Sequence, residues 1–138
     1  MNFEYILKCV EDTKNMAKDI APFIKNNIIF LNGEIGAGKT TFTKYLVEIY
    51  GLNDEVCSPT FSLENRYNTK NGLIIHFDLY RIKNEEELDM IGFYDTLKED
   101  ATILIEWADK FNIEKYIKNY KIISFKIHDS NIRYVTIK

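Results

Sequence analysis

Cysteine is scarce in these 138 residues: Cys9 and Cys57 are the whole supply. They lie far apart, form no metal-ligand spacing, and are expected as reduced structural thiols of a cytosolic protein. Long apolar runs are missing too. Although 46% of the residues are apolar, no stretch approaches the roughly 20 residues of a membrane span. The opening Met1-Asn2-Phe3-Glu4-Tyr5 has no basic segment followed by an apolar one, so no secretory signal is read. Excess positive charge is absent: the net charge is −3, which argues against strong independent nucleic-acid binding. Histidine is limited to His76 and His128, each without nearby Cys or His, which speaks against a metal role for either. Repeats, linkers and low-complexity segments are lacking. The expectation is one domain over residues 1–138.

What is present is concentrated. Three of the six glycines fall within Gly33-Glu34-Ile35-Gly36-Ala37-Gly38-Lys39-Thr40, which meets G-x-x-x-x-G-K-[ST] at every fixed position. The context fits as well. Asn27 to Leu31 is an apolar, β-branched-rich run suited to a buried parallel strand. Downstream, Phe42, Tyr45, Leu46 and Ile49 share a helical face, and Gly51 follows as a stop. Glycines here let successive N–H groups turn inward toward phosphate oxygens, and the helix adds its positive end. Lys39 is then expected to reach the β- and γ-phosphates, and the Thr40 hydroxyl to ligate Mg²⁺.

The rest of the chain alternates strand and helix signals. Phe3 to Val10 reads as a first strand, and Glu11-Asp12 opens a helix whose end Pro22 is expected to kink or shorten. Glu55-Val56-Cys57 reads as a short strand. Segments 63–67 and 73–77 flank Asn71-Gly72 as a hairpin. Asn84 caps a short acidic helix, 93–99 is a second helical piece, and 101–106 is a buried strand. Residues 112–119 read as helix, and 121–128 and 133–138 as a hairpin across Ser130-Asn131. These elements predict a P-loop NTPase-type, three-layer α/β domain with a mixed parallel and antiparallel central sheet.

Turnover at such a loop needs a carboxylate at a neighbouring strand end. Two strands end in one: Leu73 to Asp78 and Thr102 to Glu106. One acid would hold the Mg²⁺ shell and the other orient or activate water. Ser58-Pro59-Thr60-Phe61 reads as a fixed loop whose hydroxyls could sense a γ-phosphate; a simple turn is the plainer reading. Trp107 fits either core or a partner surface, and Arg81 either phosphate charge or an ordinary ion pair.

Taken in series, Gly33 to Phe42, Ser58 to Phe61, His76-Phe77-Asp78-Leu79-Tyr80-Arg81 and Ile105-Glu106-Trp107 closely resemble the TsaE (YjeE) family of bacterial ATPases. The resemblance runs from Glu11-Asp12-Thr13 to Arg133. That family acts in forming the threonylcarbamoyl modification of adenosine in tRNA. The resemblance implies Mg²⁺ and ATP as cofactors, with Thr13, Glu34, Gly36, Ala37, Gly38, Lys39, Thr40 and Thr41 at the nucleotide. It implies Thr40, Glu106 and Asp78 at the metal, with Lys39, Asp78 and Glu106 as the hydrolytic set. Ser58, Pro59, Thr60, Phe61, Tyr80, Arg81 and Trp107 resemble switch or partner positions. It further implies the TsaB–TsaD heterodimer as partner, tRNA contact only through that complex, weak turnover by the chain alone, and no membrane. Glu34-Ile35 replaces a commoner Asp-Leu, and Ala108-Asp109 a commoner Pro-Glu; neither removes a donor or a ligand.

Three other readings compete. A small-molecule kinase would want an arginine-bearing lid, yet only Arg66, Arg81 and Arg133 exist and the stretch after Arg81 is acidic. A GTPase would want N/T-K-x-D late in the chain, where Ala108-Asp109-Lys110-Phe111 has the wrong order. A nucleotide-gated binding module without turnover would differ only in whether Asp78 and Glu106 support hydrolysis.

Overall fold

In the computed structural model, which describes residues 2–52 and 63–138, seven strands form one sheet. They are β1 (Phe3–Leu7), β2 (Ile28–Asn32), β3 (Glu64–Thr69), β4 (Gly72–Asp78), β5 (Thr102–Glu106), β6 (Lys121–Ile127) and β7 (Arg133–Ile137). Their order across the sheet is β1-β7-β6-β2-β5-β4-β3. The four central strands are mutually parallel, β6 with β2, β2 with β5 and β5 with β4. Antiparallel strands close both edges. The middle pair is covered on both faces: β2 is buried through its centre and β5 along its whole length, as strands sandwiched between two layers must be.

Period-two alternation sorts the side chains into two cores. Ile29, Leu31, Ile74, Leu104 and Ile123 meet helices α1 (Val10–Ile24) and α2 (Lys39–Tyr50) on one face. Phe30, Ile75, Phe77, Ile103 and Ile105 meet the opposite layer, built from α3 (Glu85–Met90), α4 (Phe93–Thr96) and two 3₁₀ turns. The result is the expected three-layer α/β arrangement with a mixed sheet. Among the described residues no helix is long and apolar enough to cross a membrane.

Several local expectations need adjustment. Pro22 lies within α1, which runs on to Ile24; so near the end, a missing N–H costs only the last turn. Helix α2 begins at Lys39, and its buried face is Phe42, Leu46, Val47 and Tyr50, with Tyr45 and Ile49 only partly buried. Gly51 does stop it, at φ +84°, donating to Glu48 and Val47 carbonyls. Asn84 caps α3 by accepting from the Glu87 N–H. The expected helix over 112–119 shrinks to a 3₁₀ turn at Ile113–Tyr116. Asn112, before that turn, sits at φ +50°, a left-handed angle that Asn tolerates, and Ile117, after it, is extended at φ −123° and ψ 118°, so neither end continues as helix. The closing hairpin is organised by Asp129 rather than by Ser130-Asn131 alone: its Oδ1 accepts the N–H groups of Asn131 and Ile132 at 2.8 and 2.9 Å. The strand expected at Glu55-Val56-Cys57 lies outside the described residues.

Strand register positions the site. Leu31 and Asp78 flank Glu106 as cross-strand partners, so the carboxyl ends of β2, β5 and β4 finish level. In open α/β sheets ligands gather at that edge.

Candidate functional site

Between β2 and α2 the chain turns back through the glycine loop, and two positions show why glycine is needed. A Cβ on Gly33 would lie 2.8 Å from the Phe125 carbonyl oxygen of β6. Gly38, the N-cap of α2, takes φ +110°, in the left-handed half of the map that side chains avoid. The Phe42 N–H closes the first helical turn on the Gly38 carbonyl at 3.0 Å. Earlier N–H groups of a helix have no intrahelical acceptor and form an anion-binding end.

Beside this end lies a cavity of about 310 Å³, lined by Gly36, Gly38, Lys39, Thr40, Thr41, Asp78 and Glu106, with Ile35, Tyr80 and Trp107 completing the wall. Lys39 is almost wholly buried; its Nζ donates to the Gly33 carbonyl at 2.5 Å and lies 3.6 Å from Glu106 Oε1. Glu106 Oε2 is 2.6 Å from His76 Nε2. Burial pushes the Glu106 carboxyl up, but the His76 hydrogen bond and the His76 and Lys39 charges outweigh it, and it stays below the usual carboxylate range. Asp78 differs: it is exposed, and its Oδ1 accepts the Tyr80 N–H at 3.0 Å.

Trp107 follows Glu106 at φ +64°, an unusual angle for a bulky residue. Its ring centroid lies 5.1 Å from Lys39 Nζ and 5.0 Å from that of Tyr80. Lys110 Nζ donates to the carbonyls of Tyr80 and Ile82, both at 2.7 Å, tying the 80–82 turn to the segment that carries Trp107. Arg81 is exposed and does not line this cavity. Ser58, Pro59, Thr60 and Phe61 lie outside the described residues.

A second cavity, about 270 Å³, opens on the other side of the loop and shares Gly36, Gly38 and Thr41 with the first. Ala37 and Thr13 line it, as do Cys9, Ser130, Asn131 and Arg133. Arg133 donates to the Gly36 carbonyl at 3.2 Å and to the Asp129 carbonyl at 2.9 Å. Glu34 belongs elsewhere: it lines a third cavity of about 370 Å³ with Asn32, Lys39, Trp107 and Asp109. The structure thus brings Lys39, Thr40, Thr41, Asp78, Glu106, Tyr80 and Trp107 together, and sets Thr13 and Ala37 behind the loop and Glu34 beside it.

Sequence reasoning undervalued two residues. His76 has no Cys or His near it in sequence, but it lies two residues before Asp78 on one strand, hence on the same face. Arg133 carries no local signal; only the sheet order brings β7 near the loop.

The donor set suits a phosphate-bearing ligand with a hard cation. One buried ammonium, glycine-loop and helix N–H groups, a threonine hydroxyl and two carboxylates share one cavity. Among the described residues no three His, Cys, Asp or Glu side chains form a metal-binding group. A Mg²⁺ ion would therefore depend on one or two carboxylates and on ligand phosphates, as it commonly does.

A three-layer α/β domain in which a G-x-x-x-x-G-K-T loop joins a central parallel strand to a helix, with acids on adjoining strand ends, is a P-loop-type domain. Residues 7–135 match the family model described as "Threonylcarbamoyl adenosine biosynthesis protein TsaE", and the chain belongs to this TsaE family, which functions in tRNA threonylcarbamoyladenosine biosynthesis. It is 41% identical over 138 residues to the Rickettsia typhi protein of that name, covering 97% of this chain and 93% of the relative. To the Bacillus subtilis protein of that name it is 39% identical over 99 residues, covering 71% and 61%. A crystal structure of Bacillus subtilis YdiB superposes with a TM-score of 0.74 at 28% identity, covering 99% of this chain and 84% of that one.

Proposed function

We propose that this chain is an accessory ATPase of N6-threonylcarbamoyladenosine biosynthesis, binding Mg·ATP in the glycine-loop cavity, hydrolysing it slowly, and acting on a TsaB–TsaD complex to sustain its turnover. The observation that carries this reading is the meeting of Lys39, Thr40, Asp78 and Glu106 at one cavity beside the loop. The loop N–H groups and Lys39 would hold the β- and γ-phosphates, and Thr40 and Glu106 would hold Mg²⁺, which neutralises phosphate charge when bound. The geometry favours a division of labour between the acids. Glu106, buried and held by His76 and Lys39, suits a fixed metal ligand; Asp78, exposed at the cavity wall, suits orienting water or accepting its proton. The second cavity, with Thr13 and Arg133, would take the nucleoside.

On this reading the chain supplies no transferase chemistry, and tRNA contact is left to the partners, in keeping with its mild acidity. Tyr80, Arg81 and Trp107 would face the partner, and a cytoplasmic site of action follows from the pathway. The test is ATP hydrolysis by the purified chain, alone and with stoichiometric TsaB–TsaD, with GTP as control. Partner stimulation specific for ATP supports the proposal. Phosphate appearing on a small acceptor would replace it with a small-molecule kinase.

A further inference from the structure

His76 enters the scheme above only as a neighbour of Glu106, yet its Nε2 lies 2.6 Å from Glu106 Oε2, the closer of the two side-chain contacts on that carboxylate. Both side chains are about nine-tenths buried. The other oxygen, Oε1, faces Lys39 at 3.6 Å. One oxygen is thus held from β4 and the other faces the loop lysine, which fixes the plane of the carboxylate. An ionised carboxylate only accepts hydrogen bonds, so the proton lies on Nε2 and His76 is the donor.

Lys39 cannot do this alone. It is also bonded to the Gly33 carbonyl, and a polyphosphate would draw on the same ammonium. Once Lys39 turned to phosphate, a Glu106 without His76 would be free to rotate about its terminal torsion, which is soft. Carboxylates that bind metals are commonly oriented by such outer hydrogen bonds, and losing one typically costs 10–100-fold in metal affinity or activity.

We propose that His76 is a positioning residue that holds Glu106 in its metal-binding orientation through the Nε2–H to Oε2 bond. This rests on the reading of Glu106 as the metal acid. His76 acts through Glu106 and does not itself line the glycine-loop cavity. The ring also borders a cavity of about 380 Å³ behind it, so a side chain of different shape has room there.

The test measures Mn²⁺ affinity of the ADP-loaded chain by electron paramagnetic resonance, with kcat and KM for ATP and thermal stability in parallel. His76→Ala should weaken Mn²⁺ roughly tenfold or more and lower kcat with little change in KM, while ADP affinity in EDTA stays as in the parent. His76→Gln, which keeps an N–H donor of similar reach, should stay within about threefold of the parent. Parent-like Mn²⁺ affinity in His76→Ala overturns the proposal, as does a folded His76→Gln as weak as His76→Ala. If His76→Ala does not fold, His76→Phe serves in its place: it fills the ring volume without a donor, and affinity equal to that of His76→Gln overturns the proposal. Glu106→Gln separates the two layers. If that change leaves Mn²⁺ affinity intact, the metal-acid reading itself has failed; if Glu106→Gln weakens Mn²⁺ and His76→Ala does not, only the positioning role falls.

Discussion

Lys39 Nζ lies 3.6 Å from Glu106 Oε1, with both side chains more than nine-tenths buried. The pair ties the start of α2 to the end of β5, and it gives Lys39 a counter-charge that a polyphosphate would displace or share. Truncating one member of a buried charge contact typically costs about 2 kcal/mol or more in binding. Lys39→Ala should therefore weaken nucleotide binding by at least ~30-fold, read by calorimetry on a chain whose circular dichroism is unchanged. Near-normal affinity would remove Lys39 from the phosphate site.

Glu106→Gln keeps the shape but removes the charge and turns one of the two acceptor oxygens into an N–H donor. Mg²⁺-dependent turnover should fall roughly 10²-fold or more, within the range for loss of a group acting directly on the chemistry. Affinity for ATP in EDTA should hold or rise, because a negative charge beside the phosphates is gone and Lys39 is released from it. The diagnostic is the opposite movement of the two quantities. A parallel loss of both would indicate damage to the fold of the loop.

Gly33→Ala tests the loop's seating on β6. The added Cβ meets the Phe125 carbonyl oxygen at 2.8 Å, at a backbone φ of +149°. Backbone cannot yield as a flexible side chain would, so a loss of roughly 1–3 kcal/mol is expected. For a domain of this size that lowers the melting temperature by some 2–10 °C. Gly36→Ala, where nothing lies within 4 Å of the new Cβ, should cost only the strain of its φ of +84°. Equal stability of Gly33→Ala and the parent would contradict the contact.

Much of this was legible in the chain because the informative residues are local. The loop, its flanking strand and helix, and the acids ending β4 and β5 are each written in a few consecutive positions. So is the Asn71-Gly72 hairpin. What was not legible is what depends on pairing across the sheet. His76 gains meaning only when β4 lies beside β5 in the register that sets His76 opposite Leu104 and Asp78 opposite Glu106. Arg133 reaches Gly36 only because β7 returns along β6, next to β2. Glu34 matches the motif as well as its neighbours do, but a loop residue's direction is set by φ/ψ, and it lines the neighbouring cavity. The helix expected over 112–119 ends after one 3₁₀ turn because Ile117 is extended, at φ −123° and ψ 118°, which spacing does not reveal.

Asp129 offers a pH test of the wall around the second cavity. The Asn131 N–H lowers its pKa most; slight desolvation opposes this, and the Ile132 N–H with the His128 and Arg133 charges lower it further. The folded value lies below the unfolded one, so the group's contribution to stability is present above the ordinary aspartate range, near 3.9. It is lost as pH falls through the folded pKa. Asp129→Ala should thus be less stable than the parent at neutral pH, and the gap should narrow as the solution is acidified below that range. Carboxyl ¹³C shifts should place the Asp129 midpoint below that of an unstructured aspartate. A stability gap independent of pH would mean that the turn does not depend on the ionised carboxylate.

Trp107 is the only tryptophan, and it reports from inside the site. Its ring lies 5.1 Å from Lys39 Nζ and 5.0 Å from Tyr80, and it lines both the glycine-loop cavity and the third cavity. A cation near an indole face is attracted to the ring quadrupole, so moving Lys39 toward a phosphate changes the electrostatic surroundings of the fluorophore. Adding Mg·ATP should alter the intensity or position of tryptophan emission in a saturable manner, with a midpoint matching calorimetry. Lys39→Ala should abolish that change. Trp107→Phe should remove the signal while leaving nucleotide affinity within about fivefold, since the exchange removes at most ~1 kcal/mol of cation–ring attraction. If Mg·ATP binds by calorimetry without any change in emission, Lys39 does not leave the indole face, and the exchange of Glu106 for phosphate at its ammonium is wrong.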